Sequence, residues 1–179
     1  MNTSDRSRDW IAAVGLGLGA VFGMAGTFVS QAPVRQVFWA IDGIGLVVAS
    51  ALLTMKFLRK GSDCVAAGFL VFAIGESFLI SGAAAGLEGG IPAFGCGVAL
   101  WATALLLISI PKEFASWVRL AGILAAILFG LVAARIFWGE PLLATSRPLP
   151  FFAYPFIVLT FAGWILSLVK KPGVGASGP

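Results

Sequence analysis

The sequence contains no histidine. This absence excludes sites that need an imidazole nitrogen, among them haem with a histidine axial ligand, imidazole-bound zinc or copper, and Ser-His or Cys-His nucleophiles, unless a partner chain supplies the group. We therefore expect no cofactor and no metal, and no residue favours an enzymatic activity.

Charged residues are also scarce. They make up 11% of the chain, against 59% hydrophobic residues, and the mean hydropathy is +1.00. Soluble proteins carry about a quarter of their residues as Asp, Glu, Lys or Arg. The composition predicts an integral membrane protein, and its 179 residues leave room for about six spans of roughly 20 residues each. We expect a single membrane domain over residues 1–179.

Only two cysteines occur, Cys64 and Cys96. The first is expected at one membrane face and the second most of a bilayer away, which is too far for a disulfide bond. They are better explained as small packing residues.

What the chain has instead is a series of long apolar runs. They predict an all-α bundle of six transmembrane helices, with spans at about 10–29, 37–57, 64–87, 91–110, 116–138 and 151–169. The first run is too long for the apolar part of a signal peptide, and Pro33 follows directly after its only small-residue site. We expect it to remain as an uncleaved first span.

The basic residues are unevenly distributed between the two predicted membrane faces. One face holds Arg6, Arg8, Lys56, Arg59, Lys60, Lys112, Arg119, Lys170 and Lys171, and the other holds Arg35, Arg135 and Arg147. The positive-inside rule then predicts a multi-pass protein of the inner (plasma) membrane with both termini in the cytoplasm. The pI of about 9.5 reflects this topology and attraction to anionic lipid, so no nucleic-acid partner is expected.

Glycines recur at regular intervals in two of the spans. Such stripes let helix backbones approach closely where lipid removes the hydrophobic drive for association. The predicted helix-packing residues are Gly15, Gly19 and Gly23 in the first span and Gly68, Gly75 and Gly82 in the third. Besides the lipid bilayer, a second copy of the chain or a subunit of a membrane complex could use these faces.

Three charged residues lie within the predicted spans: Asp42, Glu76 and Arg135. An intramembrane carboxylate is costly unless it is protonated, paired or exposed to water. One hypothesis is that all three line an outward-facing cavity in which Glu76 takes up protons or a cation. The alternative is that Glu76 joins helices through a hydrogen bond and Arg135 extends to the headgroups.

The first and fifth spans match each other in a pattern that indicates three repeated helical hairpins, although chance matching in such low-diversity sequence is the alternative. The matched pairs are Trp10 with Trp117, Gly15 with Gly122, Phe22 with Phe129, Gly23 with Gly130, and Pro33 with Pro141.

The six spans, the cytoplasmic termini and this recurring Gly, Gly, Pro pattern resemble the small six-helix HdeD-like membrane proteins associated with bacterial acid resistance. The residues of the pattern are Gly15, Gly23 and Pro33, and again Gly122, Gly130 and Pro141. The resemblance implies a stress-related inner-membrane role and brings no site residues with it.

From these observations we expect a non-enzymatic bacterial inner-membrane protein with a stress-associated or structural role. Three alternatives stay open. The chain could be a small proton- or cation-coupled carrier or channel using Glu76, the substrate-binding subunit of a vitamin transporter, or an accessory subunit of a membrane complex.

Overall fold

Six helices long and apolar enough to cross a membrane follow one another within the part of the chain that the structure describes. The computed structural model describes the backbone of residues 3–170 and the side chains of residues 5–170. Helices satisfy their backbone hydrogen bonds internally, as a segment surrounded by lipid must. They are α1 (Asp5–Phe28), α2 (Ala32–Arg59), α3 (Asp63–Ala84), α4 (Ile91–Ser109), α5 (Ser116–Phe137) and α6 (Phe151–Val169). The predicted six-helix membrane bundle is confirmed.

The first helix changes its winding partway along. It is α-helical over Thr3–Leu18, forms a π-helical turn at Gly19–Gly23, and continues as an α-helix over Met24–Phe28. A π turn is rare and occurs mostly as an insertion of this kind, frequently beside a functional site. Here it faces α2.

Three helix ends differ from the sequence-based bounds by three or more residues. Helix α1 begins at Asp5 rather than near residue 10. Helix α2 begins at Ala32 rather than near residue 37, because Pro33 occupies its first turn, where a missing N–H carries no penalty. Asp42 therefore lies ten residues into α2, or about 15 Å along the helix axis. Helix α3 ends at Ala84. Gly86, with a positive φ of 83°, begins the single helical turn Gly86–Gly89.

The helices form a closed ring. Each packs against the next along the chain, and α6 returns to pack against α1. We call one end of the ring the basic end (residues 5–9, 60–62, 110–115 and Lys170) and the other the loop end (residues 29–31, 85–90 and 138–150). Lys171, which enters the charge count above, lies outside the described residues.

The six predicted packing glycines all lie at helix–helix contacts. A Cβ built on Gly15 would overlap the carbonyl oxygen of Gly45 in α2. A Cβ on Gly75 would lie 3.0 Å from the carbonyl oxygen of Gly97 in α4. The others face Leu46 (Gly19), Asp42 (Gly23), Ile108 (Gly68) and Ala93 (Gly82). The glycines of α1 thus bring it against α2, and those of α3 bring it against α4.

Aromatic side chains fill the ring from its middle toward the basic end. Phe72 of α3 stacks on Trp101 of α4 with ring centroids 5.2 Å apart and planes 5° from parallel. Phe69 meets Trp164 of α6 edge to face at 4.9 Å. The remaining members are Phe57, Phe114, Phe129 and Phe161. We call these eight residues the aromatic core.

At the basic end, the loops are joined by polar contacts. Lys60 forms an ion pair with Glu113, and the Ser62 hydroxyl donates a hydrogen bond of 2.6 Å to the same carboxylate. The hydrogen bond donated by Lys60 and the weaker effect of the one donated by Ser62 hold the pKa of Glu113 below its ordinary value. The loop after α2 is thereby tied to the loop after α4.

We predict that Gly15→Ala destabilises the bundle by about 1–3 kcal/mol, since the added methyl group must displace the α2 backbone. Gly17→Ala is the matched control, because a Cβ at Gly17 meets nothing within 4 Å. Chemical unfolding of the two variants in detergent micelles compares them directly. Equal stability of the two would contradict the close contact at Gly15.

We also predict that Glu113→Gln reduces the loss of stability between pH 7 and pH 3. A carboxylate whose pKa is lowered by folding stabilises the protein above its unfolded pKa, and this contribution disappears as the pH falls through the folded pKa. The exposed Glu88 at the loop end supplies the control Glu88→Gln. Thermal melts across this pH range should show a weaker pH dependence only for the Glu113 variant.

Candidate functional site

A cavity of about 90 Å³ lies inside the ring, in the half nearer the loop end. It is lined by residues of α1, α2, α3, α4 and α6, together with the turn after α3 and the connection before α6. The lining reaches Leu87 and Ala144, which belong to loops at that end. The cavity therefore extends to the loops at that end.

Glu76 lines this cavity from α3 and is 2% exposed. It lies eight residues before Ala84, or about 12 Å from the end of the helix. Its Oε2 accepts a hydrogen bond of 3.1 Å from the indole Nε1–H of Trp101. Because Trp101 is held by its stack on Phe72, the carboxylate has a fixed donor.

Asp42 lines the same cavity from α2 and is 8% exposed. Its Oδ1 is buried and has no hydrogen-bond partner among the described residues. Its Oδ2 lies 2.8 Å from the position that a Cβ would take at Gly23, in the π turn of α1. The absence of a side chain at Gly23 therefore makes room for the Asp42 carboxylate.

A second glycine makes room for Glu76. A Cβ built on Gly43 would lie 3.3 Å from Glu76 Oε1, so the Glu76 carboxylate approaches the α2 backbone one residue after Asp42. The two carboxylates thus both lie beside one short stretch of α2, at similar depths from the loop end.

The charge of this pair is not balanced by the cavity lining. Among the described residues that line it, none is Lys or Arg. Ionised carboxylates buried without a counter-charge are strongly disfavoured in an apolar environment. The arrangement therefore requires a proton or a bound cation whenever both groups are buried.

Arg135 lies apart from the two carboxylates. Its side chain is 42% exposed, and it is not among the described residues that line the cavity. Its Nε donates a hydrogen bond of 2.7 Å to Glu140 Oε2. Gly139, with a positive φ of 95°, turns the chain so that Glu140 returns to the end of α5.

The aromatic core closes the cavity toward the basic end. Phe161 lines the cavity and contacts Phe72 and Trp164. Beyond them, Phe69 continues the packing toward the basic end. The cavity thus extends to the loops at one end of the bundle and is closed by aromatic packing at the other.

Two lining residues have roles that the sequence did not reveal. The hydroxyl of Tyr154, the only tyrosine in the chain, donates a hydrogen bond of 2.8 Å to the carbonyl oxygen of Ala144. This contact holds the connection between α5 and α6 over the cavity. Trp39, which also lines the cavity, packs against Gly26 of α1. The occurrence of a single tyrosine is the feature of the sequence that points to Tyr154.

The site offers few ligands for a resident metal. Among residues 5–170, no group of three or more His, Cys, Asp or Glu side chains comes together. Asp42 and Glu76 are a pair of carboxylates, and hard divalent cations usually take six or more oxygen ligands.

Comparison of the chain with protein-family models, with curated proteins and with solved structures found no match.

We predict that Trp101→Phe destabilises the protein by about 1–3 kcal/mol, because the Glu76 carboxylate loses its donor while the aromatic stack on Phe72 is kept. The loss should be smaller when Glu76→Met is already present, since both polar partners are then gone. A double-mutant cycle measured by chemical unfolding gives the coupling. Additivity within about 0.5 kcal/mol would contradict an energetically important hydrogen bond.

Proposed function

We propose that the protein is a bacterial inner-membrane carrier or channel that loads a proton or a small cation into the cavity from the loop end. Glu76 and Asp42 are the binding groups. The observation that carries the proposal is that two buried carboxylates share one cavity with no basic side chain among its described lining residues. Intramembrane carboxylates in such positions commonly form ion or proton pathways.

The proposed orientation places the basic end in the cytoplasm. Nine of the chain's twelve lysines and arginines belong to that end, to the adjoining turns of α2 and α5, or to the chain termini, as the positive-inside rule requires of a cytoplasmic face. The cavity then opens toward the outside of the cell. A cation reaches Asp42 and Glu76 from that side without passing the aromatic core.

The proposed role is non-enzymatic. The chain has no histidine, and neither cysteine lines the cavity, so the usual pairs of nucleophile and base are missing from its lining. The size of the cavity also disfavours a vitamin-sized substrate, since sites for such ligands typically enclose about 300 Å³ or more.

The HdeD-like resemblance supports a second proposal, a role in acid stress. With the loop end outside, the cavity faces the side on which external acid appears. Protons entering there meet the two buried carboxylates first. The exposed apolar side chains around the ring, among them Val21, Ile44 and Leu120, are proposed to contact lipid or a neighbouring subunit.

To test the carrier or channel proposal, proton and cation flux would be measured in proteoliposomes containing the wild-type protein, Glu76→Gln or Asp42→Asn. We expect flux with the wild-type protein and its loss in both variants, because each removes one anionic group from the cavity. The control Glu88→Gln changes an exposed carboxylate outside the cavity lining and should retain flux. Absence of flux in folded wild-type protein, or full flux in Glu76→Gln, would reject the proposal.

A further inference from the structure

The hydroxyl groups in the cavity lining have already used their hydrogens. Tyr154 donates to the carbonyl oxygen of Ala144 at 2.8 Å, and Thr27 donates to the carbonyl oxygen of Met24 at 2.7 Å. Each hydroxyl oxygen keeps its lone pairs as acceptors. A ligand in the cavity therefore finds acceptors at both positions.

Trp101 and the carboxylates continue this pattern. Trp101 donates its indole N–H to Glu76. Asp42 Oδ1 is buried without a partner. An unpaired buried acceptor costs about 1–3 kcal/mol, so the cavity is complementary to a ligand that brings hydrogen-bond donors and positive charge.

The rest of the lining is mainly apolar. Leu46, Leu79, Ile80, Phe94 and Ile157 contribute to it, and the cavity volume is about 90 Å³. This space suits a ligand of only a few heavy atoms. An apolar wall beside two carboxylates also favours a cation with a short hydrocarbon part over a metal ion, which needs oxygen ligands on all sides.

We propose that the cavity binds a small primary ammonium ion, such as methylammonium, with its nitrogen between Asp42 and Glu76 and its alkyl group against the apolar lining. Three N–H donors can satisfy both carboxylates at once, whereas a single proton satisfies one. The proposal assigns a ligand class to the cavity of the proposed carrier or channel. It depends on that proposed function only for the side of the membrane from which the ligand enters.

The test measures binding of methylammonium, tetramethylammonium and potassium to the full-length protein in lipid nanodiscs, by calorimetry and by the shift in melting temperature. Methylammonium should bind and stabilise the protein. Tetramethylammonium carries the same charge but has no N–H donor and is bulkier, so it should bind much more weakly, as should potassium. Equal binding of all three cations, or no binding of methylammonium, would overturn the proposal.

Variants then locate the site. Asp42→Asn and Glu76→Gln should each weaken methylammonium binding about tenfold or more, because each removes one charge-assisted hydrogen bond. Glu88→Gln should bind like the wild-type protein. Unchanged affinity in both cavity variants would overturn the assignment to this cavity. If one variant does not fold, the other still tests the position of the site, and the comparison of the three cations with wild-type protein still tests the ligand class.

The two proposals fail in distinguishable ways. Proton flux without methylammonium binding would leave the carrier or channel in place and overturn the ammonium site. Methylammonium binding that depends on Asp42 and Glu76, without flux of any cation, would support the site and reject transport.

Discussion

The cavity depends on the close approach of helix backbones at glycine residues. Lipid removes the hydrophobic drive between helices, so their association relies on packing and on interhelical hydrogen bonds. Gly15 and Gly45 bring α1 against α2. The same contact surface then leaves space at Gly23 for the Asp42 carboxylate. A methyl group at Gly23 would compete directly with that carboxylate, so the packing of two helices and the presence of a buried acid are one structural feature.

Because of this arrangement, one half of the ring is tightly packed and the other contains the cavity. Toward the basic end, rings such as Phe69 and Trp164 interlock, and close packing of this kind leaves no space for water. Toward the loop end, Gly23 and Gly43 make room for the two carboxylates, and the cavity lies beside them. Glu76 lies at the boundary, since Trp101 joins it to the aromatic core. The cost of burying this acid is partly offset by a donor that the core itself holds in place.

Much of the fold could be predicted from the sequence, because apolar runs of sufficient length in lipid have few alternatives to helix. The depth of Asp42 in the membrane could not be predicted, because Pro33 is compatible with both a loop and the first turn of a helix. The sequence also predicted that Arg135 lies near a membrane face, but it did not identify the partner of Arg135. The ion pair with Glu140 depends on the turn at Gly139. Helical spacing gives the face of a residue within its own helix. To predict that Asp42 and Glu76 share one cavity, the relative rotation of α2 and α3 must be known, and helix packing determines that rotation.

A cavity closed at one end by packed side chains serves transport only if that packing can change. The hydrogen bond and the stack around Trp101 link the two regions: the indole donates to Glu76 at 3.1 Å, and its face lies on Phe72 with centroids 5.2 Å apart. A proton or cation on Glu76 removes the negative charge that strengthens the indole N–H bond. Trp101 is therefore the member of the aromatic core whose contact with the site changes directly when Glu76 binds a proton or a cation.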